Sequence, residues 1–156
     1  MATVYISQEH SVLVDRLASK NTHDASQPIF KTNMDLFILA ALLGQSIDDK
    51  HLNYKVENQG NEIPERIFVN NQMDSAVYLL ALHSKKNADI LRDQNSSECW
   101  RISEQYAEHG FQEIRNWFLD NPGSSEVDVI LNKMKEQAAK FITEDGAIDT
   151  NKIKLG

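Results

Sequence analysis

The most concentrated apolar run in the chain is Met34-Asp35-Leu36-Phe37-Ile38-Leu39-Ala40-Ala41-Leu42-Leu43, where only Asp35 is polar. A helix that is apolar all round is buried on most of its faces, so this run is read as the central helix of the core. Thr32 or Asn33 supplies its N-cap, Asp35 suits the positive end of the dipole, and Gly44 stands where a left-handed residue would end it. Helical spacing marks four further stretches. They are residues 7–19 with Val12, Leu13 and Leu17, residues 71–84 with Met73, Val77 and Leu80, residues 97–119 with Trp100, Tyr106, Phe111 and Ile114, and residues 125–142 with Val127, Ile130, Leu131, Met134, Ala138 and Phe141. Ser7 is read as the cap of the first of these. Gly110 falls inside the third and costs about 1 kcal/mol against Ala in a helix; either that helix breaks there or something packs closely against it. After Lys85-Lys86, Asn87 can cap a short helix through Leu91.

The intervening segments are polar. Residues 21–28 end in Pro28 and read as a loop, and Asn121-Pro122-Gly123-Ser124-Ser125 reads as a turn. Between Gln45 and Glu62 the chain is polar, with alternation over residues 51–56; residues 63–69 also look extended, Pro64 favouring an edge or a strand start. These segments either pair as one small β-hairpin around residues 51–69 or form a long irregular loop, and the pattern does not separate the two. The expected fold is mostly α, a compact helical bundle of five to six helices with that hairpin as the open element. Residues 1–142 are read as a single helical domain and residues 143–156, which lack a period, as a flexible tail or docking segment.

Length and composition agree with this reading: 156 residues, 41% hydrophobic and 25% charged, exclude wholesale disorder. The net charge of −7 argues against broad attraction to phosphate backbones. Divided after Asp93, the chain carries −3 and −4, so neither half hides a basic module. Lys85-Lys86 with Arg92, and Lys133, Lys135 and Lys140, are the local concentrations, each readable as a solvated helix face. One cysteine excludes an intrachain disulfide and suits a reducing compartment. No run approaches the roughly 20 apolar residues of a membrane span, and the start lacks the basic, then apolar, pattern of a signal peptide. A cytoplasmic location without membrane contact is expected.

Candidate chemistry is sparse. His10, His23, His51, His83 and His109 stand singly, without close pairing to each other or to Cys99. Structural zinc needs closely spaced imidazole and thiolate ligands, so no metal and no cofactor is expected; His23-Asp24 would be the first contributor to any site assembled from distant residues. Cys99 sits at a helix start, where the dipole could lower its pKa, although a small core residue is the simpler reading. Ser124-Ser125 is explained by capping. Asp48-Asp49, and Glu104 with Glu108 one helical turn apart, are paired carboxylates; a metal nuclease normally adds a further acid and a lysine at suitable spacing, so Asp48-Asp49-Lys50 is a weak match, more simply a solvated turn. No phosphate-cradling glycine loop or nucleophile elbow is present. The chain is not expected to be an enzyme.

Three blocks carry a resemblance. They are Pro28-Ile29-Phe30-Lys31-Thr32 leading through Asp35-Leu36 to Gly44, then Ile63-Pro64, Ile67-Phe68, Leu79-Leu80-Ala81-Leu82 and Asp89-Ile90-Leu91, then Glu104-Gln105-Tyr106-Ala107-Glu108-His109-Gly110-Phe111. In this order they resemble small accessory proteins of DNA phosphorothioation (Dnd-type) modification and restriction systems. The linker from Gln45 to Glu62 is longer and less basic than the resemblance leads one to expect, and the helix from Ser125 has no counterpart. The resemblance implies a non-enzymatic helical accessory protein of a bacterial anti-phage locus, docking on that locus's larger nuclease, helicase or modification subunits. Phe30, Lys31, Glu104 and Tyr106 are the candidate partner contacts, together with the 45–62 segment and the tail. Two other readings are kept: a DNA-binding or regulatory module using Lys31, Lys85, Lys86 and Arg92, and a metal-dependent nuclease subunit around Asp48 and Asp49. A homodimer is expected if the apolar helices at 34–43 and 71–84 exceed what one small core can hide.

Overall fold

The computed structural model describes residues 2–18, 28–47 and 53–139. Among them the chain forms six α-helices and a two-stranded antiparallel sheet, in the order β1 (Thr3–Ser7), α1 (Ser11–Leu17), α2 (Asn33–Ile47), β2 (Gln59–Pro64), α3 (Glu65–Asn70), α4 (Asp74–Lys85), α5 (Ser96–Asp120) and α6 (Glu126–Ala139). The fold is mostly α, as the periodicity predicts. The chain clusters into two compact units, residues 1–115 and 116–156. The boundary expected after residue 142 lies outside the described residues, as does the tail.

The sheet lies within the first unit, and its pairing differs from the expected one. β2 falls in the 51–69 region, but its partner is the N-terminal β1, with Val4 opposite Ile63 and Tyr5 opposite Glu62, and a shift in register between Tyr5 and Ser7. Val4 and Ile6 alternate with the half-exposed Thr3 and Tyr5 and are buried, so β1 has one core face. Ser7 therefore ends a strand instead of capping a helix; a 3₁₀ turn, Gln8–His10, joins it to α1. Ile67, Phe68 and Val69 are helical in α3, not extended; Pro64 ends β2 in an extended conformation and stands at the N-cap of that helix.

α2 is the buried centre of this unit. The Asp35 N–H donates to Thr32 Oγ1 at 3.1 Å, so Thr32 is the capping side chain, and Leu36, Phe37, Ala40 and Ala41 are buried. Gly44 does not end the helix, which runs on to Ile47. Its role is clearance: a Cβ there would fall on the Tyr106 carbonyl oxygen and lie 3.1 Å from the Gly110 nitrogen. A Cβ on Gly110 would likewise fall on the Ala40 carbonyl. α5 therefore stays helical through Gly110, and the two helices cross in backbone contact. An aromatic chain extends the core from Phe37 edge-on to Phe68 at 5.7 Å and from Phe68 to Trp100 at 5.0 Å.

α4 ends at Lys86, which takes the left-handed conformation with φ 53°, and Asn87 accepts from the Asp89 N–H at 2.9 Å to cap the next short turn. In the second unit, Ser125 Oγ accepts from the Asp128 N–H at 3.2 Å and caps α6. Val129 and Ile130 of α6 are buried, but Val127, Leu131 and Met134 of the expected apolar stripe are 57%, 47% and 49% exposed, and Ala138 is exposed with them. Of the expected stripe, Ile130 is buried while these four are exposed, so the buried face of α6, which includes Val129, coincides with the expected one only in part; Phe141 lies outside the described residues. Among the described residues no helix is long and apolar enough to cross a membrane.

Candidate functional site

The fold turns one face of α5 toward the β1–α1 corner. Glu104, Glu108, Gln112 and Arg115 are spaced at three and four residues along that face, so all reach the same neighbour. The Tyr5 N–H of β1 donates to Glu104 Oε2 at 2.8 Å. One turn further on, His10 Nε2 lies 2.8 Å from Glu108 Oε1. Gln112 and Arg115 then reach Glu9, at 3.2 and 3.4 Å.

His10 is wholly enclosed and its ring stacks on Phe111 at 5.3 Å, while the Glu108 side chain is 5% exposed. Its other ring nitrogen, Nδ1, has no hydrogen-bond partner among the described residues. Glu9 Oε1 stands 3.8 Å from His10 Nε2. One ligand-type atom from each of Glu9, His10 and Glu108 therefore falls within 4.8 Å of the others. Beside them is a cavity of about 260 Å³ lined by Ser7, Glu9, Glu108 and the segment from Asn53 to Asn58, where Tyr54 stacks on His109 at 4.3 Å. Burial pushes the Glu104 carboxyl up to about 7; the Tyr5 hydrogen bond and Arg101 oppose the shift, and Glu108 adds to it.

Of the sequence-derived site residues, Glu104 is the one this geometry brings to the corner. Tyr106 is enclosed in the core, Phe30 is half-buried with its N–H donating to the Leu17 carbonyl at 2.9 Å, and Lys31 is exposed. Lys85 pairs with Glu98 at 2.9 Å and Arg92 with Asp89 at 2.9 Å, so two cations of the expected patch are held by acids, and Lys86 is the exposed cap of α4. Burial pushes the Cys99 thiol up, and the Glu98 charge adds to that, which favours the buried core residue over the reactive alternative. Asp48, Asp49, His23, Asp24 and His51 lie outside the described residues. Sequence reasoning missed His10 and Glu9 because their partners sit about a hundred positions away on α5; the pairing of Glu104 with Glu108 was the one visible signal.

The comparisons place the chain in a family. Residues 3–153 match the family described as DNA sulphur modification system-associated protein 4, and the chain belongs to it. This is the Dnd-type resemblance that the three blocks carry. No curated protein and no solved structure matches the chain.

Proposed function

We propose that the chain is a non-enzymatic docking component of its DNA sulphur modification system, contributing to anti-phage defence by binding a larger subunit of that system. Membership of a system-associated family supports a partner from the same locus. The observation that carries the reading is the outward stripe of α6. Val127, Leu131, Met134 and Ala138 recur at intervals of four, three and four residues, which aligns them on one side of the helix, and all are exposed. Asp128 and Lys135, also exposed, flank the stripe. An apolar row with charged borders is the form in which an amphipathic helix enters the groove of a partner. The helices at 34–43 and 71–84, by contrast, bury most of their apolar side chains inside the first unit, leaving Leu42 and Leu79 as their large exposed ones, whereas α6 exposes Val127, Leu131 and Met134 along one side.

Affinity capture of the tagged full chain from cells expressing the whole system tests this. The expected result is recovery of a larger system protein, lost when Leu131 and Met134 are both changed to Asp with the circular dichroism spectrum unchanged. Capture that survives the double substitution, or no captured system protein, defeats the reading. Size-exclusion chromatography of the purified chain separates self-association from docking on another subunit.

A further inference from the structure

We propose that Glu9, His10 and Glu108 bind a divalent transition-metal cation at the edge of the cavity between the β1–α1 corner and α5. This site is independent of the α6 docking surface.

The donor set fits. One imidazole nitrogen with two carboxylate oxygens suits zinc and its first-row neighbours, whereas magnesium and calcium prefer all-oxygen shells. Zinc bonds of about 2.0–2.2 Å place tetrahedral ligands roughly 3.3–3.5 Å apart. His10 Nε2 is 2.8 Å from Glu108 Oε1 and 3.8 Å from Glu9 Oε1, which bracket that separation. Seating a cation requires the buried pair to open by about half an ångström and Glu9 to draw in. Glu9 can do so, because its side chain is 53% exposed and its bonds to Gln112 and Arg115 are long, at 3.2 and 3.4 Å.

Two further observations point the same way. The ring of His10 is fixed by its stack on Phe111, so Nε2 is aimed at Glu108 before any ligand arrives. The carboxylates of Glu9, Glu57 and Glu108 on the cavity wall outnumber the nearby cations, Lys55 on the wall and Arg115 at 3.4 Å from Glu9, a small local excess of negative charge that favours a cation. The cavity also leaves an open side where water can complete the shell, as in zinc sites with three protein ligands. Nε2 would coordinate through its lone pair.

The experiment is titration of the EDTA-treated full chain with Zn²⁺ by calorimetry and with Co²⁺ by visible absorption, with Mg²⁺ and Ca²⁺ as controls. The expected result is one equivalent of Zn²⁺, a cobalt absorption band and a higher melting temperature, none of them produced by Mg²⁺ or Ca²⁺. Glu9→Gln, on the half-exposed ligand, should weaken Zn²⁺ binding by roughly tenfold or more with the fold retained. His10→Asn should abolish the cobalt band. Should His10→Asn fail to fold, Glu9→Gln alone decides. Absence of Zn²⁺ binding in the wild-type chain, or equal binding in wild type and Glu9→Gln, overturns the proposal and leaves a buried hydrogen-bonded pair.

Discussion

Gly44 and Gly110 face each other across the crossing of α2 and α5, so close that a Cβ on the first would stand 3.1 Å from the backbone nitrogen of the second. The atoms each Cβ would strike are backbone carbonyls, of Tyr106 and Ala40, and cannot rotate away as a side-chain tip would. Gly110→Ala should therefore destabilise the chain although Ala is the better helix former. Overpacking of about 1–3 kcal/mol outweighs a propensity gain of about 1 kcal/mol. Gly44→Ala should do the same. Thermal melting should show a drop of several degrees for each; an unchanged or raised midpoint would mean that the helices do not touch.

Cys99 gives a local probe of the same core. Its side chain is wholly buried and its Sγ donates to the Ile90 carbonyl at 3.2 Å. Burial, and then the Glu98 charge, push the thiol up, so little thiolate forms near neutral pH and none of it is accessible. A thiol reagent should leave the native chain almost unlabelled and react with one equivalent after denaturation. Rapid labelling under native conditions would place Cys99 at the surface.

Lys85, Lys86 and Arg92 are the cations of the expected DNA-contact patch. A grip on phosphates would appear as affinity falling by roughly one log unit per log unit of salt for each phosphate neutralised. Lys85 and Arg92 are already paired, with Glu98 and Asp89, and the chain is acidic overall. The purified chain should not retard plain or sulphur-modified duplex DNA at low salt. Binding with a steep salt slope, lost when Lys85, Lys86 and Arg92 become Ser, would restore the DNA-contact reading.

Apart from α3, read as extended, the helices were legible because their signals are local. The apolar run from Met34 to Leu43, the Asn87 and Ser125 caps, and the period through Trp100, Tyr106 and Phe111 each lie within a few turns of one another, and each marks a helix or turn where expected. Gly110 was legible as a choice between a break and a close contact, and the contact is what is found. Gly44 misled, because a glycine that clears a neighbouring helix and a glycine that ends its own look alike in one dimension. The strand Thr3–Ser7 alternates and contains two β-branched apolar residues, yet its partner lies about sixty positions away, and nothing local names it. The cluster at the corner was hidden for the same reason. Glu108 was visible beside Glu104 on one helix face, whereas His10 reaches it only through the fold.

Glu104 makes the pH dependence of stability predictable in sign. Burial raises its folded-state value from 4.5 to about 7, against the opposing effects of the Tyr5 N–H and Arg101 and with a smaller contribution from Glu108. Between about pH 4.5 and 7 the unfolded chain has released this proton while the folded chain still holds it. The folded state then binds more protons, so stability falls as pH rises through that window and the loss is complete above it. Glu104→Gln keeps an uncharged group whose Oε1 can still accept from the Tyr5 N–H. The variant should match wild type below about pH 4.5 and exceed it increasingly up to about pH 7, as read from urea midpoints in EDTA. Other titrating groups are present in both chains, so the difference between the two curves reports on Glu104 and the charges around it. A difference that stays constant across the window would show that this carboxyl titrates in the folded chain as it does in the unfolded one.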